Sequence, residues 1–410
     1  MAYVNKGMNY LRHILEAKKT RVDLRYKFYD MKNTVKDLGI STPPYLKNWN
    51  SALGWCEKAV DSLADRLVFR EFRNDGFDMQ GIYDMNNGDI LFDSGILSSL
   101  ISACCFIYIS ADADGFPRLQ VIDGANATGV IDPITNLLNE GYAVLARDDN
   151  GTPKTEAYFT EKETYIYEYG KLTMRGPNPT GHPLLVPIIN RPDARRRFGR
   201  ARISRACMDY TCSALRTIKR SEISAEFYSF PQKYVTGLDP DKEYDSWRAT
   251  MSSMLGFDKD EDGDHPIIGQ FAQASMSPHL DHLRMFAGLF SAETGLTLED
   301  MGFPSDNPTS AEAIKASHER LRLTAKKAQR DFSVGFINAG YLAACLRDNF
   351  AYTRDQIYQT KCIWEPIFEP DAATLSGIGD GAIKINQAVP GYFDAATLYD
   401  LTGIRPGGIE

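Results

Sequence analysis

The chain has 410 residues, 43% hydrophobic and 24% charged. That is ordinary globular usage, with room for a sizeable core and, at roughly 150 residues per domain, for two or three domains; it excludes a disordered chain, a fibre and a small disulfide scaffold. Forty-six basic against 54 acidic side chains give a net charge of −8, which excludes bulk coating of DNA, since phosphate attraction needs a net basic face. A local basic element, or a body that guides DNA without gripping it, stays open. The seven cysteines have no zinc-like spacing, and their odd number suits free thiols in a reducing compartment.

The first 19 residues carry charges throughout and no apolar core, so no secretory signal is expected. Residues 1–80 read as helical. The clearest piece is Trp55–Arg70, where Trp55, Ala59, Leu63 and Arg66/Leu67 fall on one face of a 3.6-residue period. Ser94–Ala111 lacks charge, but its serines and its β-rich second half predict a buried helix running into a buried strand rather than a membrane span.

From about 104 to 190 the texture changes to short β-branched and aromatic runs: FIYISA, RLQVID, ATGVID, GYAVLARD, EAYFT, TYIYEY and KLTMRG. Turn clusters separate them, which predicts an antiparallel meander of seven strands. A helix follows from about Ile203 to Phe230, ended by Pro231. Residues 231–277 form an insert with a strand (QKYVTGL), a short helix (DSWRATMSSMLG), an acidic turn and a second strand (PIIGQF).

A further helix is expected from Ser277, as N-cap, to Glu293, with Pro278 in its first position. Residues 295–309 read as loop. Thr309 or Ser310 then caps a very long helix with Glu312 in its first turn. On that helix Ile314, Ser317/His318, Leu321, Ala325, Ala328 and Phe332 make one narrow stripe whose Ala and Ser permit close helix approach, and Gly335 and Gly340 are candidate kinks. The tail holds a strand (KCIWEPIF) and short helices ending at Gly403. The fold class is α+β.

No nucleophile elbow, HExxH or phosphate-binding GK[ST] loop is present. His279 and His282 are three apart and could share a helix face, but packed or solvated histidines explain them more simply than a metal. Asp258, Asp260, Asp262, Gly263 and Asp264 match the first half of a calcium loop. Gly269 stands where the bidentate Glu belongs, so a solvated acidic turn is the simpler reading. Arg191, Arg195, Arg196, Arg197, Arg200, Arg202 and Arg205 crowd fifteen positions opposed only by Asp193. Nucleic-acid contact is one reading. Ion pairing with acidic surface on a neighbouring copy is the other, and better suits Arg forks in an acidic chain. Lys315, Arg320, Arg322, Lys326, Lys327 and Arg330 add a basic set on the long helix, as readily a solvated face as a DNA contact.

Four stretches stand out in order along the chain: WCEKAVDSLADRLVF, HPLLVPIINRPDARRRFGRARISR, SAEFYSFPQKYVTGL and, most specifically, ETGLTLEDMGFPSDNPTSAEAIKASHERLRLTAKKAQRDF. With the order of elements around them, they resemble the portal proteins of tailed bacteriophages. The resemblance implies an N-terminal wing over 1–202, a first stem helix over 203–230 and a clip over 231–276. A second stem helix over 277–294, a tunnel loop over 295–309 and a long wing helix over 310–349 would follow, with a C-terminal wing strand and short crown-like helices over 350–410. It implies a usually dodecameric ring at one capsid vertex and no enzymatic activity or cofactor.

Implied partners are further copies, double-stranded DNA in the channel, the terminase large subunit, head-completion or adaptor proteins, and the major capsid and scaffolding proteins, with assembly in the host cytoplasm and no membrane. Ser305, Asp306, Asn307 and Lys315 would lie near DNA, and Glu299, Asp300 and Asp306 would suit a weakly gripping constriction. Asp258, Asp260, Asp262 and Asp264 would mark the partner-docking clip. Arg195, Arg196, Arg197 and Arg200 would face the next subunit. A metal-dependent enzyme or calcium-binding protein built on residues 258–264, and another capsid-associated adaptor, are the competing readings.

Overall fold

In the computed structural model, which describes residues 3–35, 51–229, 233–236, 267–270, 275–304, 315–368, 370 and 372–404, the chain opens with helices α1 (Met8–Tyr29) and α2 (Trp55–Ala64). On α2, Trp55, Cys56, Ala59, Val60 and Leu63 are buried, as a 3.6-residue apolar period requires. The helix does not reach Arg70. Asp65 ends it, and Phe69–Arg73 is strand β1, paired antiparallel with Lys361–Trp364, the last strand of the chain. Leu67 is buried in the turn between them, so the apolar spacing holds while the backbone changes type.

Helices α3 (Met79–Asp84) and α4 (Gly88–Ser102) follow, and α4 turns at Ala103 directly into β2 (Cys104–Ala111), the expected helix-to-strand passage. Next come β3 (Pro117–Ile122), β4 (Ala127–Ile131), β5 (Leu138–Arg147), β6 (Pro153–Phe159), β7 (Glu163–Glu168), β8 (Lys171–Pro177) and β9 (Leu185–Ile189). All seven expected strands form, but not as one meander. β4 to β8 pair in sequence order, whereas β2 and β3 join β9 in a separate sheet ordered β3-β2-β9. Pro187 speaks against a strand at residues 185–189 when the sequence is read alone. β9 is an edge strand, where proline's missing N–H removes no ladder bond.

Helix α5 (Arg205–Ser229), strands β10 (Lys233–Thr236) and β11 (Ile267–Gln270), and helix α6 (Ser277–Thr294) come next. Met276, not Ser277, is the N-cap of α6, and Pro278 lies in its first turn. After residues 305–314, which hold the expected cap at Thr309 or Ser310 with Glu312 and lie outside the described residues, one helical turn at 315–317 breaks at His318. Helix α7 (Glu319–Arg347) then starts. The tail carries β12 (Lys361–Trp364), α8 (Ala372–Ala388) and α9 (Ala395–Thr402), closed by Gly403. No helix among the described residues is long and apolar enough to cross a membrane.

The main core runs from α2 through α4 and the β3-β2-β9 sheet to α7. Of the stripe, Leu321, Ala325, Ala328 and Phe332 are buried along α7, whereas Ser317 is exposed and His318 sits at the break before the helix. The helix runs unbroken through Gly335 and Gly340. A Cβ on Gly335 would lie 2.6 Å from Ile188 Cδ1, and one on Gly340 would lie 2.9 Å from Met79 Sδ. These glycines let α7 sit close on β9 and α3.

A smaller core joins Leu11 and Leu15 of α1 to Tyr142 and Val144 of β5. Two buried carboxylates tie the N-terminal segment down beside it. Glu140 accepts from Tyr3 Oη (2.7 Å), the Lys6 and Gly7 backbone N–H groups (3.0 and 3.1 Å) and Tyr158 Oη (3.0 Å). Glu156 accepts Arg12 in a forked pair and the Tyr142 hydroxyl.

Candidate functional site

α5 and α6 form an antiparallel arm. Ser204 Oγ meets Glu293 Oε1 at 2.8 Å, Thr217 Oγ1 meets His282 Nδ1 at 3.1 Å, and Ser224 Oγ meets His279 Nε2 at 3.0 Å, so the register runs in opposite directions. The histidine pair flagged in the sequence therefore rivets the two helices together. At 1.5 Å per residue, α5 spans roughly 37 Å. Beyond the arm, β10 and β11 pair antiparallel from Lys233↔Gln270 to Thr236↔Ile267, as expected for the two strands of the insert. The insert's helix and the calcium-loop candidates Asp258, Asp260, Asp262 and Asp264 lie outside the described residues. No group of three or more His, Cys, Asp or Glu side chains among the described residues could hold a metal.

The base of the arm is fixed to α2. Trp55 packs on Phe290 with ring centroids 5.6 Å apart, and Cys56 Sγ lies 3.4 Å from Thr211 Oγ1. Arg202 is the polar tie. Its Nε donates to Ala59 O at 3.1 Å and its Nη2 to Thr294 O at 2.5 Å. Only 7% of Arg202 is exposed, and burial lowers its guanidinium to about 10. It does not belong to a surface patch, as the sequence suggests. Its apolar neighbours Ala201 and Ile203, both buried, were the available signal.

α6 ends at Gly295 (φ 76°), whose N–H bonds Ser291 O at 2.8 Å. Arg320 reaches back to Ala292 O, so arginines from two other parts of the chain meet the carbonyls at the negative end of α6. The next turn is built on Asp300. Its carboxylate accepts the Thr297 N–H at 2.8 Å and faces His318 Nε2 at 3.2 Å, while its own N–H donates to Thr297 Oγ1 at 3.1 Å. Burial alone would raise the Asp300 carboxyl, but the Thr297 and His318 contacts hold it below its ordinary value. Asp300 thus organises the turn. Ser305, Asp306 and Asn307 lie outside the described residues. Lys315 is exposed, with Nζ 3.5 Å from Thr374 Oγ1 of α8.

The arginine loop leaves β9 and is organised by its one acid. Asp193 accepts the Arg195 and Arg196 N–H groups at 2.9 and 2.7 Å and pairs with Arg200 Nη2 at 2.6 Å. Arg200 above all lowers the Asp193 carboxyl to about 2. Gly199 (φ 71°) closes the turn, where a Cβ would lie 2.1 Å from Asn190 O. Arg195, Arg196 and Arg197 are exposed and meet no carboxylate within ion-pairing distance among the described residues. Arg200 is already paired within the loop.

Comparison with known proteins places this architecture. The portal protein of Mycobacterium phage L5 is 24% identical over 393 residues, covering 88% of this chain and 80% of that protein. The portal protein of Mycobacterium phage D29 is 24% identical over 396 residues, with the same coverage. Among solved structures, the virion of a native gene transfer agent particle overlaps at TM-score 0.44 and 13% identity, covering 86% of this chain and 90% of that one. The neck of the native particle, computed with C12 symmetry, overlaps at 0.45 and 12%, with the same coverage. A family model described as phage portal protein, SPP1 Gp6-like, matches residues 8–374. The chain belongs to this family of phage portal proteins, which is structural and not enzymatic.

Proposed function

We propose that copies of this chain close into a dodecameric ring at one capsid vertex of a virion, through whose axis double-stranded DNA enters during packaging and leaves during ejection. The observation that carries this reading is the antiparallel α5–α6 arm, tipped by the β10–β11 pair and rooted by Arg202. In a ring such arms make a stem, and their tips make a clip on which the terminase large subunit, and later head-completion or adaptor proteins, dock. The body from residue 1 to 202, with α7 to α9, forms the wing facing capsid and scaffolding proteins, and the segment 295–309 borders the channel.

Exposed apolar side chains on the arm support closure. Leu280, Met285 and Leu289 of α6 are 59%, 48% and 42% exposed, and side-by-side arms would cover them. An acidic ring also suits sliding, because each phosphate that a wall neutralises adds affinity through counterion release. On this reading Ser305, Asp306, Asn307 and Lys315 lie nearest the DNA, Asp258, Asp260, Asp262 and Asp264 serve docking at the clip, and Arg195 to Arg197 with Arg200 face the next subunit. Negative-stain microscopy and native mass measurement of the purified chain test it. Closed rings with an axial opening are expected; a species that stays monomeric at high concentration overturns it.

A further inference from the structure

The arginine loop and one end of helix α4 bear opposite charges at opposite ends of the same rod. The loop is fixed to the C-terminal end of α4: Arg202 N–H donates to Leu100 O at 2.7 Å, and Asn190 N–H donates to Ala103 O at 3.0 Å. Its basic surface continues onto α7, where half-buried Asp331 lies in the field of Lys327, Arg330 and Arg191. At the N-terminal end of α4 the charge reverses. Asp89 and Asp93 are exposed there, and Asp65, at the end of α2, is close enough to be felt by both Asp93 and Asp61. Asp65, Asp89 and Asp93 have no basic side chain within ion-pairing distance among the described residues.

Fifteen residues of helix put about 20 Å between the two ends, so one chain cannot join them. We infer that the arginine loop of one copy docks on the Asp65, Asp89 and Asp93 surface of the next. This deepens the ring reading and rests on it. Complementary patches at different places on one chain are what a head-to-tail contact needs, and such a contact closes into a ring when the rotation allows. The chemistry favours a protein acceptor. Arginine forks pair with carboxylates in a fixed geometry, and the acidic patch supplies three carboxylates to Arg195, Arg196 and Arg197.

The test uses the full chain at a concentration where the wild type forms rings, read by native mass measurement. The variant R195E/R196E/R197E and the variant D65K/D89K/D93K should each lose rings, because like charges then face each other. Mixed in equal amounts, the two should form rings again with alternating subunits, since each altered loop meets an altered patch and each unaltered loop an unaltered patch. Glutamine at the same three arginines adds no repulsion, and should raise the concentration needed for assembly about tenfold. Intact rings from the aspartate variant, or no recovery on mixing two variants that remain folded, overturns the inference while leaving the ring standing. So does an arginine variant that keeps its rings and loses only binding to a DNA duplex. A wild-type chain that never closes defeats the ring reading itself.

Discussion

Arg202 donates to the carbonyl of Thr294 over 2.5 Å, and so joins the last turn of α6 to the segment that enters α5 and, through Ala59 O, to α2. The last carbonyls of a helix have no partner within it. Here that deficit is met by a buried guanidinium, which stays charged at neutral pH because burial lowers it only to about 10. Arg202→Met would leave the buried Thr294 carbonyl without its donor and take from Ala59 O the donor it has beyond its own helix. A loss of about 2–4 kcal/mol is expected, read as a lower urea midpoint. Lysine should recover little, since one ammonium cannot copy the fork. A methionine variant with an unchanged midpoint would contradict this role.

The glycines of the helical tail segments separate two roles. At Gly335 a methyl group would meet Ile188 Cδ1 at 2.6 Å and Pro187 O at 3.1 Å. Backbone cannot yield cheaply, so Gly335→Ala should destabilise the chain by about 1–3 kcal/mol. At Gly379 of α8 nothing lies within 4 Å of the same methyl group. There alanine should stabilise α8 by up to about 1 kcal/mol. Urea titrations of the two variants, done side by side, should move in opposite directions.

Those two glycines also show what the sequence could convey. A glycine inside a helical pattern reads as a weak point until the neighbouring strand is known, and the strand beside Gly335 was itself hidden by Pro187. The buried stripe of α7, the α4-to-β2 passage and both arm helices were legible, because their apolar periods are local. β1 was not, since its partner β12 lies near the other end of the chain. At the candidate site, the crowding of arginines was visible but their division was not. Arg202 goes inward and Arg200 to Asp193, while Arg195, Arg196 and Arg197 remain outside. Which of seven similar side chains is desolvated depends on where Ala59 O and Thr294 O arrive, and that is a tertiary fact.

The turn after α6 should weaken in acid. Asp300 is held below its ordinary value of 3.8 by Thr297 and His318, against burial. A carboxyl depressed in the folded state contributes stability above its unfolded value, and that contribution fades as pH falls through the folded one. The wild type should therefore exceed Asp300→Asn in thermal stability at pH 6, and the gap should narrow progressively below about pH 4. A gap that is constant with pH would mean that the carboxylate charge is not what organises the turn.

Glu140 offers the sharpest test of how the N-terminal segment is held. The residue is fully buried and receives donors from Tyr3, Lys6, Gly7 and Tyr158, and no lysine or arginine pairs with it among the described residues. Both phenols are pushed above their ordinary value, by burial first and then by their hydrogen bonds to Glu140. Glu140→Gln replaces one acceptor oxygen by a donor amide facing other donors. The expected result is release of residues 3–7 from the sheet, with the core of Leu11, Leu15, Tyr142 and Val144 loosened but present. Amide exchange should show lost protection at Lys6 and Gly7 and a smaller change in β5. The destabilisation should be about 1–3 kcal/mol, and protection that survives at Gly7 would show that packing of α1, not Glu140, holds the segment in place.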